Sequence, residues 1–193
     1  MVICKTGHVA ALKACYYFGI EVRIVGYNKN YEMDVKEMKS KIDSDTICVY
    51  TSYPNYPYGT IDPIDQIAPY CSKKNIPVHV DMCLGGFLVP FLKSETTEKG
   101  FNFPKGVTSV SLDPHKYGLS AKGASVSLFS DEKYRNAHLF TTMFWPGGLY
   151  GTTGFAGSRS GMNIASSWIS MMKLGEEGYQ KNASLVQQGK IFT

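Results

Sequence analysis

The chain has 193 residues, of which 44% are hydrophobic and 19% are charged, and its formal net charge is +4. This composition is typical of a globular protein with one substantial core, and it excludes an intrinsically disordered chain. The positive charge is small and the basic residues are scattered, so charge gives no case for binding to nucleic acid.

Helix and strand patterns alternate along the chain. Apolar residues at helical spacing predict helices over residues 8–18, 34–42, 62–75 and 163–175. Short β-branched or apolar runs predict strands over residues 21–25, 46–51, 76–82, 107–112 and 124–130. The alternation predicts an α/β fold in which a mostly parallel sheet is flanked by helices. Ligands of such folds gather at the carboxyl ends of the strands.

Helix boundaries and one helix face are also predicted. Gly19 is expected to end the first helix and Asp34 to open the second. In the last helix, one side is expected to carry Ile164, Trp168 and Met171 or Met172.

Cysteine spacing and the chain ends bear on the compartment and on completeness. The five cysteines make an odd count without CxxC spacing, which argues against a disulfide framework and favours a reducing compartment. The start lacks the apolar run of a secretory signal, and the most apolar window, 76–92, is too polar to span a bilayer. The chain is therefore expected to be soluble and cytoplasmic. Both ends look abrupt, so we interpret residues 1–193 as a piece of a larger protein.

Two charged residues stand at predicted strand ends. Asp81 ends an apolar strand, and it could be a helix cap, a salt-bridge partner or the partner of a cationic ring nitrogen. Lys116 follows the strand 107–112; alone it is more typical of a solvated loop, but a partly desolvated cleft near other cations would lower its pKa and make it nucleophilic. Together they meet the requirements of pyridoxal phosphate, since a lysine forms a Schiff base and an aspartate keeps the pyridine nitrogen protonated.

Four sequence blocks make the interpretation specific. They read GHVAALKACYYFG, DPIDQIAPYCSKKNIPVHVDMCLGGFL, GVTSVSLDPHKYGLSAKGASVSLFSDEKYRN and GGLYGTTGFAGSRSG. In order and spacing they resemble the sphingosine-1-phosphate lyase family, a branch of the group II decarboxylase-like, fold-type I (aminotransferase-like) pyridoxal phosphate enzymes. The resemblance covers nearly the whole chain. It implies that residues 1–193 form an incomplete large, cofactor-binding domain, without the amino-terminal segment and most of the carboxy-terminal small domain.

The resemblance implies roles for individual residues. Lys116 would be the Schiff-base lysine, Asp81 would pair with the pyridinium nitrogen and His8 would stack on the ring. His115 and Ser52 would contact the cofactor, His115 at its phosphate. Three further residues complete the expected set: Lys122 for the substrate phosphate or proton transfer, and Gly157 and Ser158 for the cofactor phosphate of a neighbouring subunit. Tyr56 would face the substrate. No metal site is expected.

The chain also departs from the family pattern. The family's loop that binds cofactor phosphate lies upstream of the His8 helix and has no match here. Ser160 and Met162 stand where the family tends to have Pro and Gly, and Pro114 stands where many members have Thr. We therefore expect poor activity from this chain alone.

The implied reaction is a retro-aldol cleavage of a phosphorylated sphingoid base to a long-chain aldehyde and phosphoethanolamine. The resemblance also implies a homodimer with a shared active site. For a full-length eukaryotic protein it implies the cytosolic face of the endoplasmic reticulum membrane, with membrane contact only through segments absent from this sequence.

Three alternatives remain open from the residues. An amino-acid decarboxylase of the same superfamily would keep Lys116, Asp81 and His8, although Lys122 and the CLGGF motif favour the lyase. A metal-dependent hydrolase would use His79, Asp81 and His115, but it leaves Lys116 unexplained. A truncated form with an incomplete site would be non-enzymatic.

Overall fold

A six-stranded sheet with the order β2-β1-β3-β4-β5-β6 lies at the centre of the computed structural model, which describes residues 1–92 and 104–189. Five strands are parallel and β6 runs antiparallel to β5. The strands of this sheet are β1 (Val2–Cys4), β2 (Arg23–Val25), β3 (Val49–Ser52), β4 (Val78–Met82), β5 (Val107–Leu112) and β6 (Val126–Phe129). A separate antiparallel hairpin joins β7 (Phe140–Thr142) to β8 (Tyr150–Thr152).

Helices connect the strands, as the alternation predicts. They are α1 (Val9–Phe18), α2 (Val35–Ser40), α3 (Ile64–Lys73), α4 (Glu132–Asn136) and α5 (Gly161–Gly189), with short 3₁₀ turns at Gly85–Phe87 and Val89–Phe91. The α/β prediction is confirmed, and each predicted helix and strand is present with slightly different ends. The sequence reading missed β1, α4, β7 and β8, which are only three to five residues long. Such short elements carry too few residues for a periodic pattern.

Local chemistry explains the helix boundaries. The Asp34 side chain accepts hydrogen bonds from the backbone nitrogens of Lys36 and Glu37 at 2.8 and 3.0 Å, so it caps α2 as predicted. Gly19 ends α1 in the left-handed conformation, with φ of 63°. Helix α5 is longer than predicted and bends at Gly175, whose φ and ψ are 58° and −174°.

One side of the sheet carries the apolar core. Strand residues such as Val49, Val78 and Val80 pack there against α2 and α3, which contribute Met38 and Ile67. All five are fully buried. The predicted apolar side of α5 does not join this core, because Trp168 and its neighbours on that side are exposed. The buried residues of α5 are instead Ser167, Tyr179 and Ala183.

A bulge shifts the pairing between β4 and β5. Val78 pairs with Val107 but His79 pairs with Ser109, so Thr108 is an extra residue in β5. The Thr108 hydroxyl donates to the Val78 carbonyl at 2.8 Å. Beyond the bulge, Ser109 and Ser111 are the cross-strand neighbours of His79 and Asp81.

Candidate active site

The predicted site residues from four segments belong to one edge of the sheet. His8 follows β1, Ser52 ends β3, Asp81 lies near the end of β4, and Lys116 follows β5. Because these strands are parallel, their carboxyl ends meet at the same edge. Ser52 is the direct cross-strand neighbour of Asp81, which pairs on its other side with Ser111.

The sheet face opposite the apolar core is polar near this edge. Side chains alternate along a strand, so Tyr50 and Ser52 share a face, and so do His79 and Asp81 on the next strand. A hydrogen-bonded chain runs across this face. The His79 ring contacts the Ser109 hydroxyl through Nδ1 at 2.8 Å and the Ser111 hydroxyl through Nε2 at 3.1 Å.

Asp81 accepts several hydrogen bonds. The Tyr50 hydroxyl donates to Oδ2 at 2.5 Å, while the Cys83 backbone nitrogen and the Ser111 hydroxyl donate to Oδ1 at 2.9 and 3.4 Å. Burial raises the pKa of Asp81, but the hydrogen bonds from Tyr50 and Cys83 and the nearby His79 outweigh it, and the pKa is lowered. Asp81 is thus a buried carboxylate, and none of the described residues forms an ion pair with it.

The pKa of the His79 imidazole is lowered because the ring is buried, with the Asp81 charge opposing that effect. A neutral ring satisfies every contact if Nδ1 accepts from Ser109 and Nε2–H donates to Ser111. Ser111 can then donate onward to Asp81. The polar face therefore holds one negative charge, that of Asp81, among neutral groups.

Lys116 lies in a turn after β5. Its ammonium group forms an ion pair with Asp113 at 2.9 Å and lies near the Cys83 side chain. Partial burial lowers the pKa of Lys116, but these two contacts outweigh it and the pKa is raised. The expectation of a lowered pKa for Lys116 was therefore wrong, because the amine faces the Asp113 carboxylate and not another cation.

Cys83 lies near both main candidate residues, Lys116 and Asp81. Its side chain lies near enough to both the Lys116 amine and the Asp81 carboxylate for each of them to act on the pKa of the thiol. Burial raises the pKa of the Cys83 thiol to about 11, with Asp81 acting in the same direction and Lys116 against it. The Lys116 amine and the Asp81 carboxylate therefore both lie near one neutral thiol.

Helix α5 holds the loop that follows Lys116. The Tyr179 hydroxyl donates to the Gly118 carbonyl at 3.0 Å, and the Ser170 hydroxyl donates to the Leu119 carbonyl at 3.2 Å. Ser166 and Ser167 contact the next two residues of the loop. Leu119 has a left-handed φ of 56°, which is costly for leucine and persists only where the surroundings fix it. The position of Lys116 is therefore supported from outside the sheet.

The glycines of CLGGF permit close packing under this site. A Cβ atom on Gly85 would lie 2.2 Å from the Tyr53 carbonyl oxygen. A Cβ atom on Gly86 would lie 2.1 Å from the Leu112 side chain. Both contacts are far shorter than van der Waals distance, so a side chain at Gly85 requires a backbone shift and one at Gly86 requires at least that Leu112 move.

The other predicted site residues are less closely connected to Asp81 and Lys116. His8 caps α1, where its Nδ1 accepts from the Ala10 nitrogen at 3.2 Å, and the ring is exposed. The Ser52 backbone nitrogen donates to Asp62, and the Ser52 side chain is buried. His115 makes a long contact of 3.4 Å with the Ala124 carbonyl.

Four predicted residues have exposed positions: Tyr56, Lys122, Gly157 and Ser158. Within the part of the chain that the structure describes, no hydrogen bond or ion pair joins any of them to Asp81 or Lys116. Their predicted roles stay predictions.

Sequence reasoning missed Tyr50 and Cys83, the two residues that contact Asp81 most closely. Tyr50 follows from strand periodicity, because it lies two residues before Ser52 on β3. Cys83 lies just after β4 and its backbone nitrogen donates to the side chain of Asp81, two residues earlier, a local turn pattern typical of aspartate. The serines of α5 gave no such signal, because their contacts depend on tertiary placement.

The alternative metal site finds no support in the geometry. In residues 1–92 and 104–189, no group of three or more His, Cys, Asp or Glu side chains is placed to hold a metal ion. His79 hydrogen-bonds with two serines instead. The helices over the same residues include none that is both long and apolar enough to span a membrane.

Comparison with known proteins identifies the class. Residues 1–192 match the family model described as the pyridoxal-dependent decarboxylase conserved domain. The chain belongs to this family of enzymes, whose cofactor is pyridoxal 5'-phosphate.

Within the family, its similar curated relatives are sphingosine-1-phosphate lyases. The Drosophila melanogaster enzyme is 47% identical over 182 residues, which cover 93% of this chain and 33% of the fly protein. Sphingosine-1-phosphate lyase 1 of Rattus norvegicus is 46% identical over 178 residues, which cover 91% of this chain and 31% of the rat protein. The chain thus spans about a third of the length of the curated relatives it matches.

Solved structures agree on the fold. The sphingosine-1-phosphate lyase of Burkholderia pseudomallei is 36% identical, with a TM-score of 0.88 over 95% of this chain and 43% of its own. Glutamate decarboxylase of Lactobacillus brevis has a TM-score of 0.80 at 23% identity, over 95% of this chain and 43% of its own. The decarboxylase comparison supports the shared architecture only.

The residues of the site suit the cofactor. Asp81 is a buried carboxylate with a lowered pKa and no cationic partner among the described residues, which is what a protonated ring nitrogen requires. The Lys116 amine is held close by through Cys83. The Ser52 hydroxyl, beside Asp81, forms no hydrogen bond with the described residues and is free to donate.

Proposed function

We propose that this chain carries part of the active site of a pyridoxal phosphate-dependent aldehyde-lyase. The proposed substrate is a phosphorylated sphingoid base, and the proposed products are a long-chain aldehyde and phosphoethanolamine. The observation that carries the proposal is the placement of Asp81 and Lys116 near Cys83 at the carboxyl edge of the sheet. The 36–47% identity to sphingosine-1-phosphate lyases supports the substrate class.

The cofactor, when bound, supplies a ring that accepts electrons from a bond broken next to the substrate amine. Asp81 would hold the ring nitrogen in its protonated form, because its own pKa is lowered and it stays ionised. Lys116 would bind the cofactor covalently, give it up to the substrate amine, and then return. Before the cofactor is bound, Asp113 and Cys83 hold the amine of Lys116 in place.

The remaining residues would orient cofactor and substrate. His8 would stack on the ring, because it follows β1 at the same edge and the bond from the Ala10 nitrogen to its Nδ1 orients the imidazole. Ser52 and His115 would bind the cofactor, and Lys122 would attract the substrate phosphate or assist proton transfer. Tyr56 would face the substrate.

The whole protein is proposed to be a homodimer with a shared active site. In this arrangement Gly157 and Ser158 would reach the cofactor phosphate of the neighbouring subunit. Their exposure here, and that of aromatic residues nearby such as Phe144 and Phe155, supports that proposal. For a full-length eukaryotic protein, the proposed location is the cytosolic face of the endoplasmic reticulum membrane.

Chemical trapping tests the proposal. Borohydride fixes a carbonyl compound to the lysine that holds it, and peptide mapping then identifies that lysine. We expect the label on the peptide that contains Lys116, and its loss in Lys116→Ala. The matched variant Lys122→Ala should keep the label, because Lys122 is not proposed to hold the cofactor. Labelling of any other lysine would refute the assignment.

Product analysis separates the lyase from a decarboxylase of the same superfamily. Protein that has not been reduced, supplied with pyridoxal 5'-phosphate, is given a phosphorylated sphingoid base in one assay and acidic amino acids in another. Release of long-chain aldehyde supports the lyase, and Lys122→Ala should then raise the KM for the phosphorylated substrate. Release of carbon dioxide without aldehyde would replace the lyase with the decarboxylase.

A further inference from the structure

Tyr50 makes a contact that none of the predicted roles explains. Its hydroxyl donates to Asp81 Oδ2 at 2.5 Å, which is shorter than the bonds from the Cys83 nitrogen and the Ser111 hydroxyl. Hydrogen bonds from O–H to a carboxylate at this distance belong to the strong, charge-assisted class. Tyr50 therefore makes the closest hydrogen bond to the candidate cofactor-binding carboxylate.

The surroundings of Asp81 require such a donor. The carboxylate is only 6% exposed and has no ion-pair partner among the described residues. Burial of this kind favours the protonated form unless hydrogen bonds compensate. The ionisable groups near it are Tyr50 on β3, His79 on β4, and Cys83, Asp113 and Lys116 in the adjoining loops.

The ring of Tyr50 is itself held in place. It lies 5.2 Å from the His79 ring, at 33° between the planes, and His79 is fixed by Ser109 and Ser111. Burial and the Asp81 charge raise the pKa of Tyr50 far above its usual range, so the phenol keeps its proton. The donor is thus fixed in position and in protonation state.

The carboxylate keeps an acceptor position for the cofactor. Each carboxylate oxygen can accept two hydrogen bonds. Oδ2 accepts only the Tyr50 hydroxyl among the described residues, so one acceptor position stays open on it. A ring N–H can therefore bind to Oδ2 while Tyr50 keeps its own bond.

We propose that Tyr50 is a positioning residue that keeps Asp81 ionised and correctly oriented for the ring nitrogen of the cofactor. This inference rests on the proposed function, because Asp81 matters to the reaction only if it binds that nitrogen. Tyr50 touches neither substrate nor cofactor and acts through Asp81 alone.

The test compares Tyr50→Phe with the matched variant Tyr70→Phe. Phenylalanine keeps the ring of Tyr50 beside His79 and removes only the donor. Tyr70 lies on α3, packed against the core on the opposite side of the sheet, and its ring contacts the amines of Lys39 and Lys74. Unfolding midpoints of both variants are measured first, so that a folding defect is detected separately.

The first measurement needs no cofactor. Carbon-13 NMR of labelled aspartates gives the pKa of Asp81, assigned with Asp81→Asn. We expect Tyr50→Phe to raise it by about one unit or more, since a hydrogen bond to a charged group is worth roughly tenfold in the ionisation equilibrium. Tyr70→Phe should leave it unchanged. An unchanged pKa in Tyr50→Phe would overturn the inference.

The second measurement follows cofactor binding against pH by visible absorbance. In Tyr50→Phe the acid limb of the affinity profile should move upward by about one pH unit, matching the pKa change. In the Asp81→Asn background, Tyr50→Phe should have no further effect on affinity. An unmoved acid limb with normal cofactor binding would overturn the role of Tyr50 alone. Failure of the wild-type protein to bind cofactor would overturn the proposed function itself.

Discussion

The two faces of the central sheet differ in chemistry although the same strands build both. One face is apolar and lies under α2 and α3, where Val49, Val78 and Val80 are fully buried. The other carries Tyr50, His79, Asp81 and two serines joined by hydrogen bonds. The apolar face stabilises the fold because it removes apolar side chains from water. The polar face is less stabilising, because burial of the Asp81 carboxylate costs free energy.

Two buried carboxylates extend the comparison. Asp62 precedes α3, on the side of the apolar core, and accepts from the Met33 and Ser52 nitrogens at 2.8 Å each. Burial raises the pKa of Asp62 to about 6, and these two bonds offset only part of the effect. The pKa of Asp81 is lowered instead, and its strongest hydrogen bond comes from a side chain. The number of donors alone does not set the charge state, since burial and donor type both contribute.

The largest expected effect is on the apolar face. Ile67→Ala should lower the free energy of unfolding by about 3 kcal/mol, because it removes buried methyl groups and leaves a cavity. Ser109→Ala on the polar face should cost about 1 kcal/mol, the worth of one hydrogen bond. Urea denaturation of both variants measures the difference. Equal losses of unfolding free energy in the two variants would contradict the conclusion that the apolar face contributes more to stability than the polar face.

The second effect is a pH dependence with opposite signs for the two carboxylates. The folded-state pKa of Asp62 is raised from 3.8 to about 6, so its contribution to stability is fully present below pH 3.8 and is lost as pH rises through 6. Asp62→Asn should remove up to about 3 kcal/mol of this dependence, at about 1.4 kcal/mol per pKa unit. The measurement is urea denaturation from pH 4 to 7.

Asp81 provides the matched comparison for Asp62. Its lowered pKa means that its contribution is present above the ordinary carboxyl pKa and is lost as pH falls through the folded-state value. The difference in unfolding free energy between wild type and Asp81→Asn should therefore stay nearly constant from pH 4 to 7, where the Asp62→Asn difference changes. It should decrease only when the urea series is extended below pH 3.8. If the two differences in unfolding free energy changed in the same direction over the same pH range, the two faces would not differ in how they shift a carboxyl pKa.

The smallest expected effect concerns the lysine loop, which continues the polar side of the molecule. Tyr179→Phe removes the hydrogen bond to the Gly118 carbonyl but keeps the ring contacts with Phe87 and Phe91. It should cost about 1 kcal/mol, because a buried acceptor loses its donor. Tyr17→Phe, at an exposed position of α1, should change the unfolding free energy by less than about 0.5 kcal/mol. A Tyr179→Phe variant as stable as this control would show that α5 does not fasten the loop.

Much of the fold was readable from the sequence because it depends on local periodicity. The helix ending at Gly19 and the cap at Asp34 follow from short-range chemistry that the structure bears out. The convergence of Asp81 and the lysine turn on one edge follows from the parallel arrangement of strands. The resemblance in the HVDMCLGGF and HKYGLSAKG motifs gave the family, which the comparisons confirm.

The remainder depends on contacts between distant segments. The Tyr50–Asp81 bond joins residues 31 apart in sequence, and the Tyr179–Gly118 bond joins residues 61 apart. The raised pKa of Lys116 depends on which partner lies within reach of a flexible side chain, and spacing does not specify that. The apolar side predicted for α5 is exposed, because periodicity shows amphipathicity but not what covers it.

The extra residue in β5 has a consequence for protein engineering and for alignment. If Thr108 paired regularly with His79 and were not bulged, the register of β5 would shift by one residue, and Val110 would stand beside Asp81 in place of Ser111. The bulge therefore decides whether a hydroxyl or an isopropyl group meets the carboxylate. A scaffold designer who removed the bulge but kept Thr108 in the strand would keep the composition of the sheet and lose its polar row, whereas deletion of Thr108 would keep Ser111 beside Asp81.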